Sequence, residues 1–283
     1  MKKLIVIGLA VLFLAGTATA DWDAPKWVQL PDVTTNGLDI RASSGVVLAD
    51  DFLCTESSLI TDIHIWGSWL NDQLPLNAQQ NPDPANVTFT LSIHADVPPT
   101  PGGADYSMPG EIPLWYQTFA PGQFQVRPYL TGIKEGWYDP STGTYLPSEP
   151  TPAGGGTPAP ADTICWQYNF LIDPATAFEQ IGTPSQPIVY WLDVQATSGD
   201  PAAWFGWKSS LQHWNDDAVW GTGIEPKVGG WGDLKYPDGH PLYDKSIDLA
   251  FVITPEPATL ILLGMGGLMA LTRKKGSAGK IAE

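Results

Sequence analysis

The chain has 283 residues and a formal net charge of −16, from 14 basic and 30 acidic residues. Lys2, Lys3, Arg273, Lys274, Lys275 and Lys280 lie at the two ends, so the middle is more acidic still. Such a surface repels phosphate backbones and argues against a nucleic-acid partner, while suiting solubility outside the cell and attraction of cations.

At the N-terminus, Lys2 and Lys3 precede an apolar run from Leu4 to about Ala15. Ala18-Thr19-Ala20 then places small residues where a signal peptidase reads. This pattern predicts a signal peptide over 1–20, cleaved between Ala20 and Asp21. The remaining body, 21–253, has the size of one large β domain.

Within the body, period-two alternation recurs. Ile63 and Ile65 alternate with Asp62 and His64, and Trp66 is expected to continue the inward face. Val87, Phe89, Leu91 and Ile93 alternate with Thr88, Thr90, Ser92 and His94. Ile164, Trp166, Tyr168, Phe170 and Ile172 form another such series. Segments 114–119, 188–194 and 249–253 are short, aromatic and β-branched. Half-buried antiparallel strands follow from these patterns. Only 174–181 has helical spacing, with a proline in its first turn. With 27 Pro and 29 Gly, most other segments are interrupted too soon for a long helix. The expected architecture is a single all-β domain, an antiparallel sandwich or jelly roll. Loops are expected at 97–113 and, as a flexible insertion, near 139–160.

Cys54 and Cys165 belong to an exported chain, where a disulfide persists; a bridge between them is the expectation, and two separate buried thiols the alternative. No Cys/His spacing suggests zinc. The acidic pairs Asp50-Asp51 and Asp216-Asp217 are the candidate calcium ligands, weighed against turn-capping roles; no other cofactor is indicated. There are 13 tryptophans. Most are expected to pack inside, with Trp69, Trp207 and Trp214 as candidate contacts to an extracellular polysaccharide. His64 and His94 fall on the polar phases of their strands and are expected at the surface, as hydrogen-bonding rather than catalytic groups. No nucleophile elbow occurs, and no catalytic residue is nominated.

At the C-terminus, Pro255-Glu256-Pro257 leads into an apolar stretch, 258–271, broken by Gly264, Gly266 and Gly267 and closed by Arg273, Lys274 and Lys275. Positive charge after an apolar run keeps that end cytoplasmic and the body outside. The stretch is shorter than the roughly 20 residues of a comfortable span. This ending (254–275, with 276–283 as a cytoplasmic tail) resembles the PEP-CTERM sorting signal. The resemblance implies a transient membrane-held stage and an exosortase-type membrane protease as partner beside signal peptidase.

The blocks Leu48-Ala49-Asp50-Asp51-Phe52, 63–69, Tyr190-Trp191-Leu192-Asp193-Val194, Phe205-Gly206-Trp207-Lys208 and 216–220 resemble an uncharacterised domain of other PEP-CTERM proteins. That resemblance implies no reaction. The leading expectation is therefore an exported, non-enzymatic surface or matrix protein. A glycan-binding module is the alternative, and a secreted hydrolase a third reading without a motif behind it.

Overall fold

The computed structural model describes residues 25–101, 103–149 and 162–254. The signal peptide with its Ala18, Ala20 and Asp21 cleavage site lies outside the described residues, as do Pro255, Glu256, Pro257 and the basic cluster.

In chain order the strands are β1 (Trp27–Gln29), β2 (Leu38–Arg41), β3 (Val46–Cys54), β4 (Ser58–Ile60), β5 (Asp62–Trp69), β6 (Val87–Val97), β7 (Met108–Pro109), β8 (Trp115–Phe119) and β9 (Gln125–Thr131). They continue with β10 (Gly136–Asp139), β11 (Thr144–Leu146), β12 (Ile164–Leu171), β13 (Phe178–Gln180), β14 (Ile188–Ser198), β15 (Phe205–Lys208), β16 (Val219–Ile224), β17 (Lys227–Asp233) and β18 (Phe251–Thr254).

Two sheets carry the fold. The nine-stranded sheet runs β1-β18-β5-β15-β2-β10-β11, with β12 paired to β5 and β9 to β12. The seven-stranded sheet runs β17-β16-β3-β14-β6-β7, with β8 on β6. Pairing is antiparallel except between β10 and β2. A small β4–β13 ribbon lies apart. The expected all-β sandwich is what forms.

Strand alternation builds the core between the sheets. Ile63, Ile65 and Trp69 of β5, Tyr168 and Phe170 of β12 and Phe251 of β18 face Leu48 and Phe52 of β3, Phe89 and Leu91 of β6 and Leu192 of β14 in one buried cluster. Burying each large apolar side chain stabilises by roughly 1.5–3 kcal/mol. Close approach of strands sets local requirements too. A Cβ on Gly206 would stand 2.6 Å from the Trp137 ring, so only glycine admits that indole.

Four expectations are corrected here. Residues 174–181 form no helix. The Asp173 carboxylate accepts the Ala175 N–H at 2.9 Å, making a turn, and β13 follows, its Phe178 ring 5.2 Å from Tyr190. The supposed excursion at 139–160 begins inside a hairpin, because Trp137, Tyr138 and Asp139 pair with Leu146, Tyr145 and Thr144. Cys54 and Cys165 are free thiols, both buried. Cys54 belongs to the inter-sheet core, whereas Cys165 packs with Trp66, Ala250 and Val252 on the far side of the nine-stranded sheet. A whole sheet thus separates two groups that a disulfide must bring within a few ångströms. Trp66 is buried, but on the face opposite Ile63 and Ile65, since neighbours one residue apart point oppositely in a pleat.

The fold is also more than two layers. Every residue of β5 is buried, so both of its faces are covered. Leu30 and Ile133 pack on the Trp66 cluster. On the seven-stranded sheet, Tyr106 and Trp231 cover Ala49, Trp191 and Val219. These coverings bury polar groups that alternation alone sends to solvent.

Candidate functional site: a carboxylate–histidine cluster under the seven-stranded sheet

Strands β6 and β14 pair with Asp193 opposite Ser92 and Trp191 opposite His94. Ser92 and His94 are two apart on one strand, as are Trp191, Asp193 and Gln195 on the other. All five therefore share the outer face. Gln195 then draws in a third segment. Its Oε1 accepts the Glu225 N–H at 3.1 Å, and its Nε2 donates to the Gly223 carbonyl at 3.0 Å. This pins the β16–β17 turn and inserts Glu225 beside Asp193.

The result is a buried group of His94, Asp193 and Glu225, one ligand-capable atom of each lying within 4.8 Å of the others. Their residues are 2 %, 0 % and 7 % exposed, which leaves little room for water to solvate charge. His94 Nδ1 lies 2.6 Å from the Gly110 carbonyl. A carbonyl only accepts, so Nδ1 carries the proton, and Nε2 presents a lone pair to the carboxylates. Nε2 is 3.4 Å from Asp193 Oδ2. Ser92 Oγ donates to Glu225 Oε2 at 2.7 Å and stands 3.0 Å from His94 Nε2. Its single proton serves only one of these acceptors.

Electrostatics follow from burial. Desolvation pushes the Asp193 carboxyl well above the usual carboxylate range, and the neighbouring Glu225 carboxylate pushes it further. Glu225 is raised chiefly by burial. Burial lowers the His94 pKa, against the Gly110 hydrogen bond that raises it. The imidazole is therefore neutral at pH 7 and supplies no positive charge. An open groove of about 800 Å³ lies alongside, lined by Met108, Pro109 and Glu111 on one wall and by Lys227, Val228 and Trp231 on the other. Its walls are the chain neighbours of Gly110 and Glu225.

The other nominated residues are dispersed. Trp69 and Trp207 are 1 % and 0 % exposed, so neither stacks on a glycan. Their indole N–H groups are engaged inside, by the Tyr168 hydroxyl at 2.9 Å and the Ala250 carbonyl at 2.7 Å. Both lie on the inward phase of their strands. Trp214 is half-buried and stands edge-on to Trp27 at 5.1 Å.

Asp50 and Asp51, adjacent in β3, point to opposite faces and so cannot ligate one calcium together. Asp50 accepts the Leu249 and Asp51 N–H groups at 2.6 and 2.8 Å. Asp51 accepts from Asn215 Nδ2 at 2.5 Å. Asp216 accepts the Ser107 hydroxyl at 2.5 Å. Asp217 is half-buried beside it and, among the described residues, joins no group of converging ligands.

His64 and His94, expected at the surface, are 3 % and 2 % exposed. The outer loop layer is the reason. The Ser92/His94 and Asp193/Gln195 phases were visible as polar positions in two apolar strands, a legible sign of a polar face. Their juxtaposition depends on β6 lying beside β14, and Glu225 sits in a turn with no strand pattern at all.

A family model described as a domain of unknown function, DUF7901, matches residues 25–254. The chain belongs to the DUF7901 family. The match runs from just before β1 to the last residue of β18, so this DUF7901 domain includes both sheets and the whole buried cluster. No curated protein and no solved structure matches the chain.

Proposed function

We propose that this DUF7901 protein is an exported, non-enzymatic component of the cell envelope or extracellular matrix, delivered with a removable C-terminal tail. The observation that carries the reading is where the tail attaches. β18 ends at Thr254, and Pro255-Glu256-Pro257 follows without a linker. β18 is buried throughout and is held between β1 and β5. Thr254 Oγ1 donates to Asp62 Oδ2 at 3.2 Å. Cleavage on the C-terminal side of Thr254 would therefore release the body without removing a core strand. A tail held in a membrane would pull on the interior of a sheet rather than on a frayed edge.

A structural or interaction role is supported by how the body spends its chemistry. Trp66, Trp69, Trp137, Trp191 and Trp207 are fully buried, and the carboxylate–histidine cluster is closed over by chain rather than open as a substrate cleft. The acidic surface favours solubility outside the cell.

Fractionation with mass spectrometry of the mature ends tests this. The intact gene product is expected to begin at Asp21, to pass through the membrane fraction and to end near Thr254 once released. Deletion of 255–271 is expected to abolish the membrane-held stage. Unchanged location and processing after that deletion would refute the sorting role.

A further inference from the structure

We propose that His94 Nε2 and the carboxylates of Asp193 and Glu225 hold one divalent first-row transition-metal ion, with zinc the expected occupant, clamping β6, β14 and the β16–β17 turn together.

The hydrogen-bond inventory points there first. Asp193 is fully buried, and no N–H or hydroxyl group donates to either of its oxygens; Glu225 Oε1 is likewise without one, and only a proton held between the two carboxyls joins them. His94 Nε2 adds a third lone pair, because its tautomer is set by Gly110. Against these acceptors the cluster offers the one proton of Ser92 Oγ. Buried carboxylate oxygens without donors are costly, by about 1–3 kcal/mol each and more when charged. A proton shared between Asp193 and Glu225 would answer part of that deficit. A divalent cation takes one oxygen of each carboxylate and the imidazole nitrogen, balances two negative charges, and leaves the second Asp193 oxygen to accept from a water bound to the ion.

Geometry points the same way. The 3.4 Å between His94 Nε2 and Asp193 Oδ2 is too long for a hydrogen bond. It matches the ~3.4 Å edge between two ligands placed about 2.0–2.2 Å from a tetrahedral ion. The orienting contacts are also those of a metal ligand: a histidine whose other nitrogen donates to a backbone carbonyl, and a carboxylate that receives a hydroxyl. Ser92 keeps its proton for Glu225, and one water enclosed with the ion completes four-coordination.

Ligand chemistry selects the ion. One imidazole with two carboxylates suits zinc or its first-row neighbours, whereas calcium takes six to eight oxygens. Three ligands drawn from two strands and a turn would tie the tip of the β16–β17 hairpin directly to β6 and β14, beyond its pairing with β3.

The test uses the full chain, purified, stripped with a chelator and offered zinc(II), manganese(II) or calcium(II) separately. Metal content and thermal unfolding are the readouts. The expected result is about one equivalent of zinc per chain with a rise in melting temperature. Asp193→Asn and Glu225→Gln, each checked for folding by circular dichroism, are expected to weaken binding at least ~10-fold, in the range typical of lost ligand-sphere groups. Cobalt(II) in the wild-type protein is expected to give the intense visible bands of a four-coordinate site, a readout that needs no variant. The proposal is overturned by any of four results: no stoichiometric zinc or manganese in folded protein, binding undiminished in both folded variants, binding of calcium alone, or the pale spectrum of six-coordinate cobalt.

Discussion

The two outer faces of the sandwich bury carboxylates in opposite ways. On the nine-stranded sheet, Lys208 of β15 stands opposite Asp39 of β2 in the strand register. Its ammonium lies 3.2 Å from Asp39 and 2.7 Å from Glu135, and all three residues are at most 1 % exposed. Ser68 Oγ donates to the same Glu135. Burial works to lower the lysine pKa, but the two carboxylates outweigh it and raise it. That face carries its own cation. On the seven-stranded sheet, Asp193 and Glu225 meet a neutral histidine and a serine, so what offsets their charge there is a proton held by burial or the metal ion proposed above. A strongly acidic protein can thus cover both faces of a sheet with polar groups, provided each buried carboxylate finds a positive partner or a proton.

The lysine-bearing face depends most on Lys208. Replacing it by Met keeps the aliphatic stem but leaves Asp39 and Glu135 facing each other in a dry site. Loss of one partner from a buried ion pair destabilises by about 3–5 kcal/mol, and urea unfolding at neutral pH would measure it. A loss below ~1 kcal/mol, the value of an exposed pair, would mean that water reaches this face.

The opposite face should respond with the other sign. In chelator, burial and the Glu225 carboxylate keep Asp193 protonated, and Asp193→Asn replaces that carboxyl by an amide that can likewise donate to Glu225. Stability is expected to hold or to rise by up to ~1 kcal/mol, since the amide is neutral and hydrogen-bonded without having to take up a proton on folding. With zinc present the ranking should reverse, because only wild type gains from the ion. A strong loss in chelator would remove the contrast between the faces.

A change of pH acts more weakly on both faces. Burial raises Asp162, which lies against the lysine face, to about 7. Burial likewise raises Asp51, on the outer side of β3, to about 8, against the Asn215 hydrogen bond that lowers it. An unfolded aspartate releases its proton near ~4. Between that pH and the raised value the native state holds more protons, so stability falls as pH rises. Each group contributes at most about 1.4 kcal/mol per pH unit. The slope for Asp162 should end near pH 7 and that for Asp51 near pH 8. Asp51→Asn should flatten the curve of chelated protein between those values, while Asp162→Asn should not. Denaturant unfolding at successive pH values would show it.

Much of this molecule was legible in its letters. Alternation in Val87–Ile93, in Ile164–Ile172 and in 188–194 predicted strands that exist, because apolar side chains at period two bury only when the backbone is extended. The sandwich class followed from the number of such runs and from the Pro/Gly punctuation. The length and chemistry of the two ends framed the expectation of export. Tertiary structure alone decided what became of the other phase of each strand. His94 and Ser92 read as the polar, outward phase of their strand, and nothing in the letters assigned Asp193 or Lys208 a place, until loops and hairpins covered them. The same layer hid Trp66 and put a full sheet between Cys54 and Cys165. Periodicity records which side chains agree with one another along a strand; it carries no information on which strands lie side by side or on what settles over their outer faces. Those outcomes come from long-range packing, and they are what placed three ligand-capable groups around one point.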